Sequence, residues 1–182
     1  LSIDRNLPKL RYAESDVDRF AEAMKTAGLV SADAIYALKR PSKSLYRETL
    51  QRVRARLEAQ SSEDARFIFF FSGHSDGKGL HLTDDFITRT EVQDLMGEAR
   101  AKTRILLLDA CYAAGLTAKG VRQISSNPIS LPEDPRGAVA ITASSSTEEA
   151  YESQALRGSF FTHALVRGLY GEADANRDGL VT

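Results

Sequence analysis

Two side chains in this 182-residue sequence have the type and setting for nucleophilic catalysis: His74 and the single cysteine, Cys111. A free thiol, with a pKa of about 8.5, holds little thiolate at neutral pH. A cysteine nucleophile therefore needs a partner that takes its proton and later returns one to the leaving amine, and imidazole suits both tasks. Negative charge then develops on the attacked carbonyl oxygen and needs aimed N–H donors. The backbone amides of Ser75 and Cys111, each on a turn that follows an apolar run, are the candidates. Taken singly, either side chain says little, because a lone cysteine in an apolar region is usually an inert core residue. The shared setting changes the weight. His74 follows RFIFFFS (66–72) within Ser72-Gly73-His74, and Cys111 follows RILLLD (104–109) and opens Cys111-Tyr112-Ala113-Ala114-Gly115. His81, after a glycine-rich turn, reads as solvated, and His163, among apolar helix neighbours, as structural.

The elements that position these two residues are legible from patterning. Continuous apolar runs without alternation are how strands buried on both faces read, as in a parallel sheet covered by helices. Residues 137–144 (GAVAITAS) read as a third such strand, and residues 34–39 (AIYALK) as a short one. Ser15-Asp16-Val17-Asp18 reads as a helix start. Val17, Phe20, Ala21 and Met24 follow at helical spacing, and Gly28 stops the helix. Further helices are predicted over 44–59, from Thr90 to about residue 99, and over 159–170, with a hairpin-like excursion at 79–83. Alternating strands and helices predict a parallel α/β sheet with right-handed crossovers. The helix from Thr90 is the crossover between the two most apolar strands, so these should be neighbours. In such sheets ligands sit beyond the carboxyl ends of strands, where both His74 and Cys111 lie. Residues 117–136 form one long irregular stretch, and a loop of that length is usually functional or disordered.

Bulk composition removes other classes. With 42% hydrophobic and 27% charged residues the chain is an ordinary globular domain. A net charge of −1 gives a nucleic-acid partner no electrostatic support. The longest purely apolar run, 67–71, is far short of the ~20 residues of a membrane span. One cysteine permits no internal disulfide and suits a reducing, cytoplasmic compartment. An α/β nucleotide-binding domain would need a glycine-rich phosphate loop, and the sequence holds neither GxGxxG nor a Walker pattern.

At FFFSGHS (69–75) and LLLDACYAAG (106–115) the sequence resembles the caspase-like cysteine peptidases, and among them the metacaspase and bacterial orthocaspase branch. LRYAESDVDRF (10–20), VAITASSSTEEA (139–150) and GSFFTHALVRGL (158–169) extend the resemblance over nearly the whole chain. It implies a caspase-type three-layer α/β/α sandwich with a mostly parallel sheet. It also implies one peptidase domain over residues 1–182, a fragment lacking the family's first strand and the C-terminal end. The catalytic roles fall on His74 and Cys111. Two departures stand out: Ser75 replaces the family's Gly after the histidine, and Tyr112 replaces its frequent His or Arg. Caspases that cut after Asp carry Gln two residues before the cysteine. Here that position is Asp109, and metacaspase-like enzymes pair this Asp with one matching Asp16. Two carboxylates in a partly desolvated pocket favour Lys or Arg, with a bidentate option for Arg. Without the resemblance, Asp16 reads equally well as a partner for the helix start, and Asp109 as an acceptor for loop backbone.

Other features are weaker. Lys119 and Arg122 in the long loop are candidate self-cleavage points for an enzyme with this preference, set against ordinary surface charge. Asp174-Ala-Asn176-Arg-Asp178-Gly179 matches the opening half of a calcium loop, although a plain Asx-type turn explains it as well. The chemistry itself requires no cofactor, so calcium enters only as an activator. Asp84, Asp85, Glu148 and Glu149 read as solvated charges. The expected partners are proteins or peptides with a basic residue before the cut, together with a regulatory domain or partner outside the fragment. A catalytically silent caspase-like signalling module is the alternative from another class.

Overall fold

The structure, a computed structural model, describes residues 10–61, 63–76, 78–110, 137–143 and 152–179, and the backbone of 122–124. In chain order its helices are α1 (Ala13–Thr26), α2 (Lys43–Glu58), α3 (Arg89–Glu98) and α4 (Phe160–Arg167). Its strands are β1 (Arg66–Ser72), β2 (Gly79–His81), β3 (Phe86–Thr88), β4 (Thr103–Asp109), β5 (Arg122–Ile124), β6 (Ala138–Thr142), β7 (Glu152–Ser153) and β8 (Gly158–Ser159). The chain divides into two compact units, Leu1–Pro8 with Arg40–Ala150, and Lys9–Lys39 with Tyr151–Thr182.

The first unit is built on a four-stranded sheet in the order β1-β4-β6-β5, with every pairing parallel. β1 and β4 are neighbours, as the crossover argument requires, with Ser72 opposite Asp109 at their carboxyl ends. Side chains alternate across a strand, so Phe67, Phe69 and Phe71 share one face with Leu106, Leu108, Ala138 and Ala140. That face packs on Tyr46 and Leu57 of α2 and on Val92, Leu95 and Met96 of α3. The opposite face carries Ile68, Phe70, Ile105, Leu107 and Ile141. Two apolar faces explain why the sequence shows runs rather than alternation. Leu106 and Leu108 are fully buried, and truncating either to Ala would cost about 2–5 kcal/mol.

Specific caps set where these helices begin. Ser42 accepts the Leu45 N–H at 3.2 Å and opens α2. α3 starts at Arg89, one residue earlier than predicted, with Thr88 as its cap. Thr88 Oγ1 accepts the Glu91 N–H at 3.1 Å while Glu91 accepts the Thr88 N–H at 2.8 Å. This reciprocal capping box was present in the sequence as Thr-x-x-Glu. The Lys43 ammonium also donates to Glu91 at 2.6 Å and to the Phe86 carbonyl at 2.5 Å. Burial raises the Glu91 pKa, but the hydrogen bonds from Lys43 and Thr88 outweigh it and hold the carboxyl at about 2. At the far end of α3, the buried Arg104 donates to the Met96 carbonyl at 2.7 Å. A strand residue thereby satisfies one of the orphan acceptors of a helix end.

In the second unit α1 ends as predicted, with Gly28 in the left-handed region (φ 68°) closing the turn. The β7–β8 hairpin leads into α4, which Ser159 caps by accepting the Thr162 N–H at 2.9 Å. The predicted strand at 34–39 is corrected. Ala32–Ala34 forms a 3-10 turn and Ile35 continues extended (φ −94°, ψ 121°), yet residues 35–38 join no ladder among the described residues. Ile and Tyr favour extended backbone, but a strand also needs a neighbouring edge to pair with.

Candidate active site

The turn after β1 is tied down by a series of main-chain bonds. The Gly73 N–H donates to the Asp109 carbonyl at 3.1 Å, extending the β1–β4 ladder beyond Ser72. The His81 N–H donates to the His74 carbonyl at 2.9 Å, and the Asp76 N–H to the Gly79 carbonyl at 3.1 Å. Between those bonds Ser75 bridges Leu80, so the residue after His74 is the non-hydrogen-bonded member of a short antiparallel ladder. Ser75 is buried and is absent from the residues with positive φ. Its backbone therefore demands nothing that only glycine can supply.

His81 is not solvated, contrary to expectation. Its side chain is 8% exposed and its Nε2 lies 3.1 Å from Asp76 Oδ2. A carboxylate can only accept, so Nε2 carries the proton. Asp76 Oδ1 also accepts the Lys78 and Gly79 N–H groups at 2.7 and 3.2 Å. Burial raises the Asp76 pKa, but these donors together outweigh it and hold the carboxyl below its usual range. This pair is not legible from residue order, because the spacing from Asp76 to His81 has meaning only once the hairpin register is known.

Asp109 ends β4, is 4% exposed, and shares the sheet face of Ser72. Cys111 lies outside the described residues. It follows Asp109 and the buried Ala110 directly.

Asp16 belongs to the second unit and stands in the first turn of α1, where its carboxylate has partners beyond its own helix. α1 begins at Ala13, and the two residues just before it are held from far along the chain: Glu152 accepts the N–H groups of Arg11 and of the N-cap Tyr12 at 3.0 and 2.9 Å. Ser15 instead donates its hydroxyl to the Tyr12 carbonyl. Asp16 is fully buried. It accepts the Ser159 N–H at 3.0 Å and lies 3.4 Å from an Arg19 nitrogen. The other Arg19 nitrogen is 3.2 Å from His163 Nδ1. Arg can only donate, so that histidine nitrogen accepts. Gly158 sits so close that a Cβ there would meet both Arg19 and Asp16.

The remaining candidates separate from the site. Lys119, Glu148 and Glu149 lie outside the described residues. Arg122 is not in irregular loop but in β5, opposite Val139 at the sheet edge. A three-residue edge strand carries no long apolar run to announce it. Asp174 accepts the Asp178 and Gly179 N–H groups at 3.2 and 2.8 Å, and Asn176 donates to Asp178 at 2.7 Å. These bonds describe an Asx-type turn. Asp84 is no loose surface charge, since it accepts the Lys43 N–H at 2.8 Å at the start of α2, and Asp85 accepts the Phe86 N–H at 2.8 Å. Among the described residues no helix is long and apolar enough to cross a membrane.

No curated protein matches the sequence significantly. A family model described as the caspase domain matches residues 3–179, a span that takes in the His74 turn, the β4 end and the Asp16 helix. With its parallel α/β sheet and the two motif-bearing strands side by side, the chain belongs to the caspase-domain family of cysteine peptidases.

Proposed function

We propose that the chain is an endopeptidase of the metacaspase-like kind that cuts proteins after Arg or Lys through a Cys111–His74 dyad. The observation that carries this reading is the register of β1 and β4. Ser72 pairs with Asp109, and each candidate catalytic residue follows two positions later, at the carboxyl end where parallel sheets bind ligands. In the proposed reaction His74 takes the thiol proton and Sγ adds to the scissile carbonyl carbon. The Ser75 and Cys111 amides receive the oxyanion. The C–N bond breaks as His74 passes the proton to the leaving amine. Water, deprotonated by His74, then attacks the thioester, and the thiol is regenerated. An oxyanion donor of this kind is worth about 10²–10³ in rate.

The acidic groups assigned to selection of a basic side chain are Asp16 and Asp109. Each is buried within its own unit, and a buried carboxylate attracts a cation far more strongly than an exposed one. The same preference makes Lys119 a self-cleavage point, whereas Arg122 would first have to leave its ladder with Val139. Fluorogenic peptides ending in Arg, Lys or Asp, assayed with and without calcium, test the reading. Cleavage after Arg and Lys but not Asp is expected, and calcium enters only as an activator if it changes the rate. Cleavage after Asp would remove the roles given to Asp16 and Asp109. No cleavage of any peptide by folded protein would favour a silent signalling module. Intact-mass comparison of wild type and Cys111→Ala reads self-cleavage directly.

A further inference from the structure

We infer that Asp76 and His81 are positioning residues for the proposed base, clamping the turn that presents His74 and Ser75. The inference rests on the peptidase reading of His74. Its observations are independent of that reading. The chain from Asp76 to His74 has two links. Asp76 Oδ2 meets the His81 ring at 3.1 Å, and the His81 N–H holds the His74 carbonyl at 2.9 Å. Through Oδ1 the same carboxylate gathers the Lys78 and Gly79 amides. One side chain thus ties both strands of the excursion that begins at His74.

The hairpin beneath the clamp is tightly packed. Gly79 lies directly on the Ile87 carbonyl, where a Cβ would collide with backbone. Leu80 and Ile87, paired in the β2–β3 ladder, are buried in the core. The His81 position is therefore fixed from below, while its ring and its amide reach toward the turn. A buried imidazole bonded to a carboxylate is more than packing requires, since an apolar residue would fill the same space without a partner to satisfy. A base must be held close to its working geometry, and a displacement of about 1 Å costs on the order of 100-fold in rate.

The test uses the full chain with Asp76→Asn, His81→Leu and His81→Gln, the last keeping an amide donor near the place of Nε2. Steady-state kinetics on an Arg peptide, the pH profile of Cys111 alkylation by iodoacetamide and thermal midpoints are measured together. Asp76→Asn and His81→Leu should lower kcat by about 10- to 100-fold, leave KM within about twofold and shift the alkylation profile. His81→Gln should recover most of the loss. Unchanged kcat in folded variants, a loss that only tracks the thermal midpoint, or His81→Gln no better than His81→Leu would overturn the positioning role alone. A folded wild type that cleaves nothing, with Cys111 alkylated as an ordinary thiol, would overturn both the peptidase reading and this inference.

Discussion

The His74 turn and the Asp16 neighbourhood solve the same problem by different means. Around His74 the frame is backbone, since the bonds at Gly73, His74 and Asp76 are main chain to main chain and Ser75 bridges Leu80 between them, with the Asp76–His81 pair as a side-chain tie laid over it. Around Asp16 the side chains do the holding, with a buried carboxylate caught between the Ser159 amide and Arg19, and Arg19 reaching on to His163. The glycines repeat the contrast. A Cβ at Gly79 would strike the Ile87 carbonyl, whereas one at Gly158 would strike the Arg19 and Asp16 side chains. A ladder keeps its frame when a side chain is exchanged, but not when its backbone is displaced. A buried charge cluster tolerates neither loss of charge nor loss of a partner.

Substitutions on the two sides should differ in size. Gly79→Ala should have the largest effect, about 3 kcal/mol or more of lost stability, because backbone cannot swing aside. Chemical denaturation would read it, and Gly158→Ala, opposed by side chains, should cost clearly less. Asp16→Asn should lower kcat/KM for Arg and Lys peptides by about 100-fold, the scale of removing one member of a desolvated charge pair, while the turn at His74 stays intact. Acid should reach the first unit through its carboxylates. Glu91 falls from an ordinary 4.5 to about 2 in the folded state. Its contribution is therefore complete above about pH 4.5 and is lost as pH falls toward 2. Asp76, also depressed, adds to the same acid limb. Glu91→Gln should flatten that limb in denaturation measured at a series of pH values. Ser75→Gly should do least, about 1 kcal/mol or less through a more flexible unfolded chain, with peptide cleavage nearly unchanged.

What was legible in the sequence follows the same division. Doubly buried strands announce themselves, so β1, β4 and β6 and the adjacency of β1 with β4 could be read from runs such as FIFFF and ILLL. Features that depend on distant pairing could not. Glu152 serves the start of α1 from 140 residues away, and the His81–Asp76 contact exists only in one hairpin register. The segment at 34–39 had strand composition but found no ladder. Asp16 does stand in the first turn of α1, where acids are favoured, but its full burial and its bond to the Ser159 N–H depend on a segment 143 residues away and are not readable locally. The Thr88 capping box is visible in the sequence as Thr-x-x-Glu, and it starts α3 at Arg89, one residue before the expected Thr90.

The central claim is that Cys111 and His74 act together at the ends of adjacent strands. The most direct measurement is cleavage of one Arg peptide by wild type, Cys111→Ala and His74→Ala, each checked for folding. The account predicts that both substitutions remove activity by at least about 10³-fold, and that the double variant is no worse than either, as for groups that work as a unit. Substantial cleavage by folded Cys111→Ala, or by folded His74→Ala, would contradict it.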